Sequence, residues 1–460
     1  MKIALIVYDN GSHINWFPSN MAYIASALRD EGHDVTIYSQ DVYHYPEEHL
    51  TEYIDKNDFD VIGLGIIGGY YQYQKMIKIS KAIKKAKKKP IYIMGGHGPS
   101  PEPEYFLRLT SADYVVVGEG EITIVDLLEN LDSPEKVDGI AFINDNDEYI
   151  QTKPRDLIKD IDNISYPAYD LFPIDHYALL HTAGFKKTDR SMAMLSGRGC
   201  PFTCNFCFRL SKGFRPRSTE SIVEEIKYLK WKYDISAIYF ADELIMSSKK
   251  RTIEICEAFI KEKLDIRWYC NGRLNFATPE VLKVMKKAGC SYLNYGIESI
   301  DNQALKNMNK HLTVEQIIPG IENTLKEGIT PGLNVIFGNI GETKEILKKG
   351  VEFLKKYNTG YEMRSIRPVT PYPGSPLYYY AIEKGLLKDV KEFYEVKHLN
   401  SDLLAVNFTN IPDDEFYEAL KRANTELIND YYEKNRKNML KQCARLYNER
   451  DPSFRGFRQL

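Results

Sequence analysis

Twice along this chain, short unbroken apolar runs alternate with helix-forming stretches, and no other feature restricts the fold as much. In the first series the runs are KIALIVY (2–8), DVTIYS (34–39), VIGLGI (61–66), IYIMGG (91–96) and DYVVVGEGE (113–121). Helical patterning falls between them at 19–32, 47–56, 72–86 and 102–109, and again to about 131. A strand with one wet face would alternate apolar and polar residues. Runs that are apolar throughout need cover on both faces, which crossover helices between parallel strands supply. Ser19 is placed to cap the first helix and Gly32 to stop it. Residues 1–135 are therefore expected to form an α/β doubly wound, Rossmann-like parallel sheet.

A hairpin with an Asn-Asp turn (139–153) and a proline-bearing stretch (154–173) follow, so 136–190 is expected to be hairpin and linker. The second series then begins: AMLSGRG (193–199), AIYFADE (237–243), IRWYCNGR (266–273), YLNYGIES (292–299), GLNVIFG (332–338) and YEMRSIRPVT (361–370), each followed by a helix or loop. Six such units predict a partial (β/α)6 TIM-type barrel over 191–385, with a helical C-terminal region at 386–460.

Function concentrates at strand ends. In an open parallel sheet ligands sit beyond the carboxyl ends of the strands. In the first series those ends carry Asn10, Ser12 and His13, then Gly65, Ile66, Gly68 and Gly69, then Gly95, Gly96 and His97, then Gly118, Glu119 and Gly120. Glycines permit close backbone approach to a ligand. No G-x-G-x-x-G follows the first strand, which argues against a nicotinamide dinucleotide. In the second series Arg198, Asp242, Glu243, Arg273, Glu298 and Gly338 occupy the barrel mouth.

Cys200, Cys204 and Cys207 lie in 195-LSGRGCPFTCNFCFRL-210 with the spacing C-x3-C-x2-C and no fourth partner. Structural zinc wants four ligands, and the nearest histidines, His176 and His181, lack finger-like spacing. An iron–sulfur cluster tolerates the gap, because three thiolates hold three irons of a [4Fe–4S] cluster and leave one iron open. The remaining cysteines, Cys256, Cys270, Cys290 and Cys443, are scattered and read as buried thiols.

The run 200-CPFTCNFC-207 resembles the signature loop of radical S-adenosylmethionine (SAM) enzymes. The resemblance implies that SAM chelates the open iron. It also implies that Phe206 and Phe208 flank the adenine and Ile336 packs on it, while Gly338 allows close approach. Glu298 would accept from ribose hydroxyls, Ser299 and Arg273 would hold the methionyl end, and Asp242 and Glu243 occupy an acidic position after the second strand. The Gly-Gly-Glu that binds the SAM amino group in some members is replaced here by 240-FADE-243. The first domain, with 94-MGGHGPSPEPE-104 and 113-DYVVVGEGE-121, looks like the cobalamin-binding domain of cobalamin-dependent (class B) members. Its D-x-H-x-x-G motif is missing, so His13 and His97 are read as rim residues and not as cobalt ligands.

What the resemblance implies is methylation of an unactivated carbon of a small-molecule or natural-product substrate, by radical chemistry with cobalamin as methyl carrier. The alternative is cyclisation or rearrangement without methyl transfer, as in tetrapyrrole cyclases. An external electron donor of flavodoxin or ferredoxin type is implied as well. A non-catalytic metal scaffold would want a fourth ligand. A tRNA methylthiolating enzyme would want cysteines before position 200, and there are none. A net charge of −3 gives no case for nucleic acid, and the basic run 84–90 reads as a solvated helix end. MKIALIVYDNGSH reads as a strand and not as a leader; with no membrane-length apolar run, a cytoplasmic protein is expected.

Overall fold

A computed structural model of the protein describes residues 1–242, 244–450 and 452–453. Strands β1 (Lys2–Val7), β2 (Asp34–Ser39), β3 (Val61–Gly65), β4 (Ile91–Gly95), β5 (Tyr114–Val116), β6 (Ile140–Ile143) and β7 (Tyr149–Gln151) make one sheet in the order β2-β1-β3-β4-β5-β6-β7. The first five pair in parallel. Alternate residues of β1 feed different cores. Ile3, Leu5 and Val7 pack with the helices Ser19–Asp30 and Glu121–Glu129, while Ala4 and Ile6 pack with Glu47–Lys56, Tyr70–Lys85 and Pro103–Thr110. Both faces are covered, as the continuous apolar runs require.

The hairpin expected within the 136–190 linker instead completes this sheet, β6 running antiparallel to β5. The physical reason is edge protection. β5 is three residues long, and without β6 it would present an unpaired edge. The remainder of the linker forms only short helical turns, such as Tyr169–Leu171 and Ile174–Tyr177, yet Ala168, Tyr169 and Phe172 are buried, and Phe17 stacks on Tyr169 at 5.1 Å.

The second series forms β8 (Ser191–Met194), β9 (Gly197–Arg198), β10 (Arg215–Pro216), β11 (Ala237–Phe240), β12 (Arg267–Gly272), β13 (Cys290–Glu298), β14 (Thr330–Phe337) and β15 (Arg367–Pro368). Six of them build a sheet in the order β15-β14-β13-β12-β11-β8, parallel throughout. Strands added in sequence with right-handed crossovers put every helix on one face. Ile238, Phe240, Trp268, Cys270, Leu293, Tyr295, Leu333 and Val335 fill that face, leaving the other concave face as the lumen of a half-barrel.

The run 193–199, read as one strand, breaks in two. Ser196 turns away, its N–H and hydroxyl donating to the Asp242 carboxylate at 2.8 and 2.7 Å, and β9 then pairs antiparallel with β10 as a separate ribbon. Past the barrel, the helix Asp413–Asn448 buries Phe416, Leu420, Ala423 and Leu427 on one stripe. Phe416 stacks on Phe337 at 4.9 Å, and the helix lies along Lys344–Tyr357. No helix among the described residues is long and apolar enough to cross a membrane.

Candidate active site between the glycine rim and the barrel mouth

The ribbon β9–β10 is the stem of the loop that carries the three cysteines. Cys204 is buried, Cys200 is partly so and Cys207 has a face open to solvent. Asn205, next to Cys204, ties this loop to three other elements. Its amide exchanges hydrogen bonds with that of Asn339 in both directions, at 3.1 and 3.0 Å. The same side chain donates to Asn307 O at 3.1 Å. Its N–H reaches Met308 O at 2.9 Å and its carbonyl accepts from Leu377 N at 2.8 Å.

Burial and the charges of neighbouring thiols push the Cys204 and Cys207 thiols up, against a downward pull from Lys310. Among the described residues the three sulfurs are not drawn together with other side chains into a ready-made metal site. Thiols such as those of Cys204 and Cys207 give up their protons when they bind a metal.

The carboxyl ends of the barrel strands surround this loop. Glu298, at the end of β13, sits at a register shift with φ +66, a left-handed conformation that is strained for a non-glycine residue. Its Oε1 accepts from the buried Lys310 Nζ at 2.9 Å. Lys310 also lies 5.8 Å from the centre of the Phe206 ring. The Arg273 guanidinium lies 3.3 Å over the Phe202 ring, and its Nη2 donates to the carbonyls of Lys310 and His311 at 2.6 and 2.8 Å. Its buried Nε has no hydrogen-bond partner, so a charge-assisted donor is left for an anion such as a carboxylate.

Beyond β14, Gly338 has φ +100, and its N–H and that of Asn339 donate to the Glu342 carboxylate at 2.8 and 2.9 Å. Burial pushes Glu342 up to about 7 despite these bonds. The buried Ser299 hydroxyl stands near Glu342 but makes no hydrogen bond of good geometry. Ile336 is half-buried and faces the opposite side from Phe337. Phe208 is seated on Gly374, with His97 edge-on at 5.9 Å. Glu243 lies outside the described residues, and the Asp242 carboxylate holds Ser196.

One cavity of about 340 Å³ joins the two halves of the molecule. Its floor is the glycine rim: Gly65, Ile66, Gly95, Gly96, His97, Gly118, Glu119 and Gly120 all line it. Its roof is the flank of the cysteine loop, with Leu195, Arg198, Gly199, Leu210 and Ser211. A methyl group added at Gly65 would lie 2.8 Å from Met21 sulfur, and one at Gly120 would lie 2.7 Å from Ile24. At Gly65, Gly96 and Gly120 a side chain would collide, which keeps those parts of the rim smooth. A flat, largely apolar ligand fits such a floor.

Asn10, Ser12, His13, Gly68 and Gly69 are not brought to this cavity. Asn10 accepts from Gln72 at 3.2 Å, His13 is exposed, Gly69 precedes the helix Tyr70–Lys85, and Gly68 packs near Tyr372 and Tyr394. The Glu119 carboxylate is committed to a junction between domains. It pairs with Arg198 at 3.2 Å and Arg215 at 2.7 Å and accepts from Ile158 N at 3.1 Å, while Glu121 takes Arg198 at 2.6 Å.

Lys310, Phe202, Asn205, Asn339 and Glu342 are site residues that sequence reasoning missed. Lys310 reaches the mouth only through the fold, whereas Phe202 lies within the cysteine loop itself, between Cys200 and Cys204. The pairing of Asn205 with Asn339 spans 134 positions and leaves no local signal.

Comparison with known proteins agrees with this geometry. The radical SAM superfamily model matches residues 194–354, and the B12 binding domain model matches residues 12–128. The chain is similar to an uncharacterized methyltransferase of Pyrococcus horikoshii, 33% identical over 402 residues and covering 84% of each chain. It is also similar to an anaerobic magnesium-protoporphyrin IX monomethyl ester cyclase of Rubrivivax gelatinosus, 27% identical over 81% of this chain and 68% of the other. Among solved structures it shares the fold of the radical SAM methyltransferase TsrM from Kitasatospora setae with cobalamin and a [4Fe–4S] cluster bound, with TM-score 0.73, 16% identity and coverage of 92% and 88%. The chain therefore belongs to the radical SAM superfamily and carries a B12-binding domain ahead of its half-barrel, which makes it an enzyme of a [4Fe–4S] cluster, SAM and cobalamin.

Proposed function

We propose that this enzyme methylates a carbon atom of a small-molecule substrate, with the glycine rim and the cysteine loop acting on one shared volume. The observation that carries the proposal is the cavity whose floor is the rim and whose roof is the flank of the cysteine loop. The similarity to an uncharacterized methyltransferase over 84% of the chain supports it.

Cys200, Cys204 and Cys207 would hold the cluster, and Asn205 fixes the loop that presents them. Arg273 Nε and Ser299 would receive the methionyl end of SAM, the second oxygen of Glu298 the ribose, and Phe206, Phe208, Ile336 and Gly338 the adenine. Gly65, Gly95, Gly96, Gly118 and Gly120 would underlie the corrin. When bound, these groups supply a carbon-radical generator and a methyl donor. The chain's own part is to hold reactants in line and exclude water from the cavity. The electron would come from an external donor of flavodoxin or ferredoxin type, in the cytoplasm.

The test is anaerobic incubation of cofactor-loaded enzyme with reductant, methyl-labelled SAM and a small-molecule extract. Label in a new product is expected. Conversion of a substrate to a cyclised or rearranged product without label would overturn methyl transfer and favour the reaction of the cyclase relative. Cys204→Ala is expected to abolish the visible absorption of the cluster; persistence of those bands would refute the ligand assignment.

A further inference from the structure

The lumen of the half-barrel has a layered chemistry that speaks to the substrate. Its amino-terminal layer is aromatic. Tyr239, Tyr269 and Tyr292 are neighbours in register across β11, β12 and β13. The first two stack at 4.4 Å, and the third meets Tyr269 edge-on at 5.6 Å. Trp16, half exposed in the first loop of the amino-terminal domain, lies against Tyr239 at 4.5 Å.

The next layer consists of carboxamides. Asn334 donates to Asn294 at 2.8 Å, Asn294 to Asn271 at 3.1 Å, and Asn271 to the Asp242 carbonyl at 3.0 Å. The Asp242 carbonyl can only accept, so it fixes the direction of the whole row. Each internal amide keeps a spare N–H, and the row ends on the Asn334 oxygen, an acceptor. All three asparagines are partly exposed, on the lumen side of their strands. Directly beyond them, toward the carboxyl ends, come Glu298 and Ile336 of the cofactor layer.

We propose that this amide row over an aromatic floor is the substrate-recognition surface, and that it selects a neutral, flat ring system whose edge carries a hydrogen-bond donor beside an acceptor, as in a lactam or cyclic imide. This rests on the function proposed above. Two other classes fit poorly. A purely apolar ring would leave the amides without partners, the mismatch that discriminates most strongly between ligands. A phosphate or carboxylate would want a cation of its own, but Arg364 is bound to Glu362, Arg267 lies 3.0 Å from Asp189, and Arg273 Nε is assigned above to the methionyl end of SAM.

The experiment uses cofactor-loaded enzyme and three bicyclic probes of one size: quinazoline-2,4-dione, naphthalene and 2-naphthoate. Binding is followed by equilibrium dialysis. The dione is expected to bind at least tenfold more tightly than the other two. Asn294→Leu and Asn334→Leu are each expected to weaken it about tenfold while cluster absorption and reductive SAM cleavage persist. Tighter binding of naphthalene or naphthoate, dione binding indifferent to both substitutions, or no dione binding by enzyme that still cleaves SAM would overturn the proposal. Enzyme that fails to take up the cluster or cleave SAM would instead overturn the underlying function.

Discussion

Replacing Glu119 with Gln should loosen the joint between the two domains, and the structure sets the size of the effect. The carboxylate meets Arg198 and Arg215, which face each other directly across the ribbon. Like charges in that register repel, so the ribbon closes only because Glu119 and Glu121 neutralise it. The side chains concerned are 10–15% exposed. Removing one partner from a fully buried pair costs about 3–5 kcal/mol, but Arg198 keeps Glu121 and Arg215 keeps the Ile158 carbonyl, so ~2–3 kcal/mol is expected here.

An unfolding entropy of about 2.1 cal/mol/K per residue gives ~1 kcal/mol/K for 460 residues, hence a fall in Tm of about 2–3 °C if the molecule unfolds as one. If only a unit of ~150 residues lets go, the fall is about 7–10 °C. The pH dependence supplies a second reading. Burial raises the Glu119 carboxyl, but Arg215 and Arg198 outweigh burial and hold it below its ordinary value. Its contribution is therefore fully present above the unfolded carboxylate range and lost as pH falls through the depressed native value. Scanning calorimetry from pH 7 down to pH 3 should show a shallower acid decline for the Gln variant. A Tm within 1 °C of the parent together with an unchanged acid limb would refute the clamp.

Three further outcomes follow from the site. Asn205→Ala or Asn339→Ala should lower iron and sulfide content after reconstitution several-fold while the fold persists by circular dichroism; full loading would show that the reciprocal amide pair does not position the loop. Glu342 is raised to about 7, so its ionisation destabilises the native state as pH rises from the unfolded value near 4.5 through 7. Glu342→Gln should remove up to ~3 kcal/mol of that loss, measured as the difference in urea midpoints at pH 5 and pH 8. Gly338→Ala combines φ +100 with a Cβ 2.9 Å from the Phe416 ring, and should cost ~2–4 kcal/mol in urea unfolding.

Much of this molecule is legible in the sequence because local patterning and the fold agree. Continuous apolar runs such as VIGLGI give parallel strands, and the spacing of Cys200, Cys204 and Cys207 with no fourth partner points toward an open-iron cluster, which the family resemblance narrows further. Legibility ends where partners are distant. Nothing local announces that Glu119 answers Arg198 and Arg215, or that Arg273 Nη2 donates to the Lys310 and His311 carbonyls. The 139–153 stretch is legible as a hairpin, but not as an extension of the first sheet, because its pairing partner, β5, is too short to advertise an unprotected edge. The first loop, with Asn10, Ser12 and His13, follows a strand end like the other rim segments. Its own contacts, Asn10 with Gln72 and Asp9 with His44, hold it off the cavity.

The Phe416 ring occupies the space that a side chain at position 338 would need, although the two residues lie far apart in the chain. Natural variation at these positions should therefore be joint. A homologue that enlarges the residue after its fifth barrel strand must shrink the one facing it on the terminal helix, and must also relax the left-handed backbone that φ +100 imposes there. The C-terminal region thus sets which mutations the cofactor site can accept, and shortening it would change the evolutionary options of the barrel mouth as well as its stability.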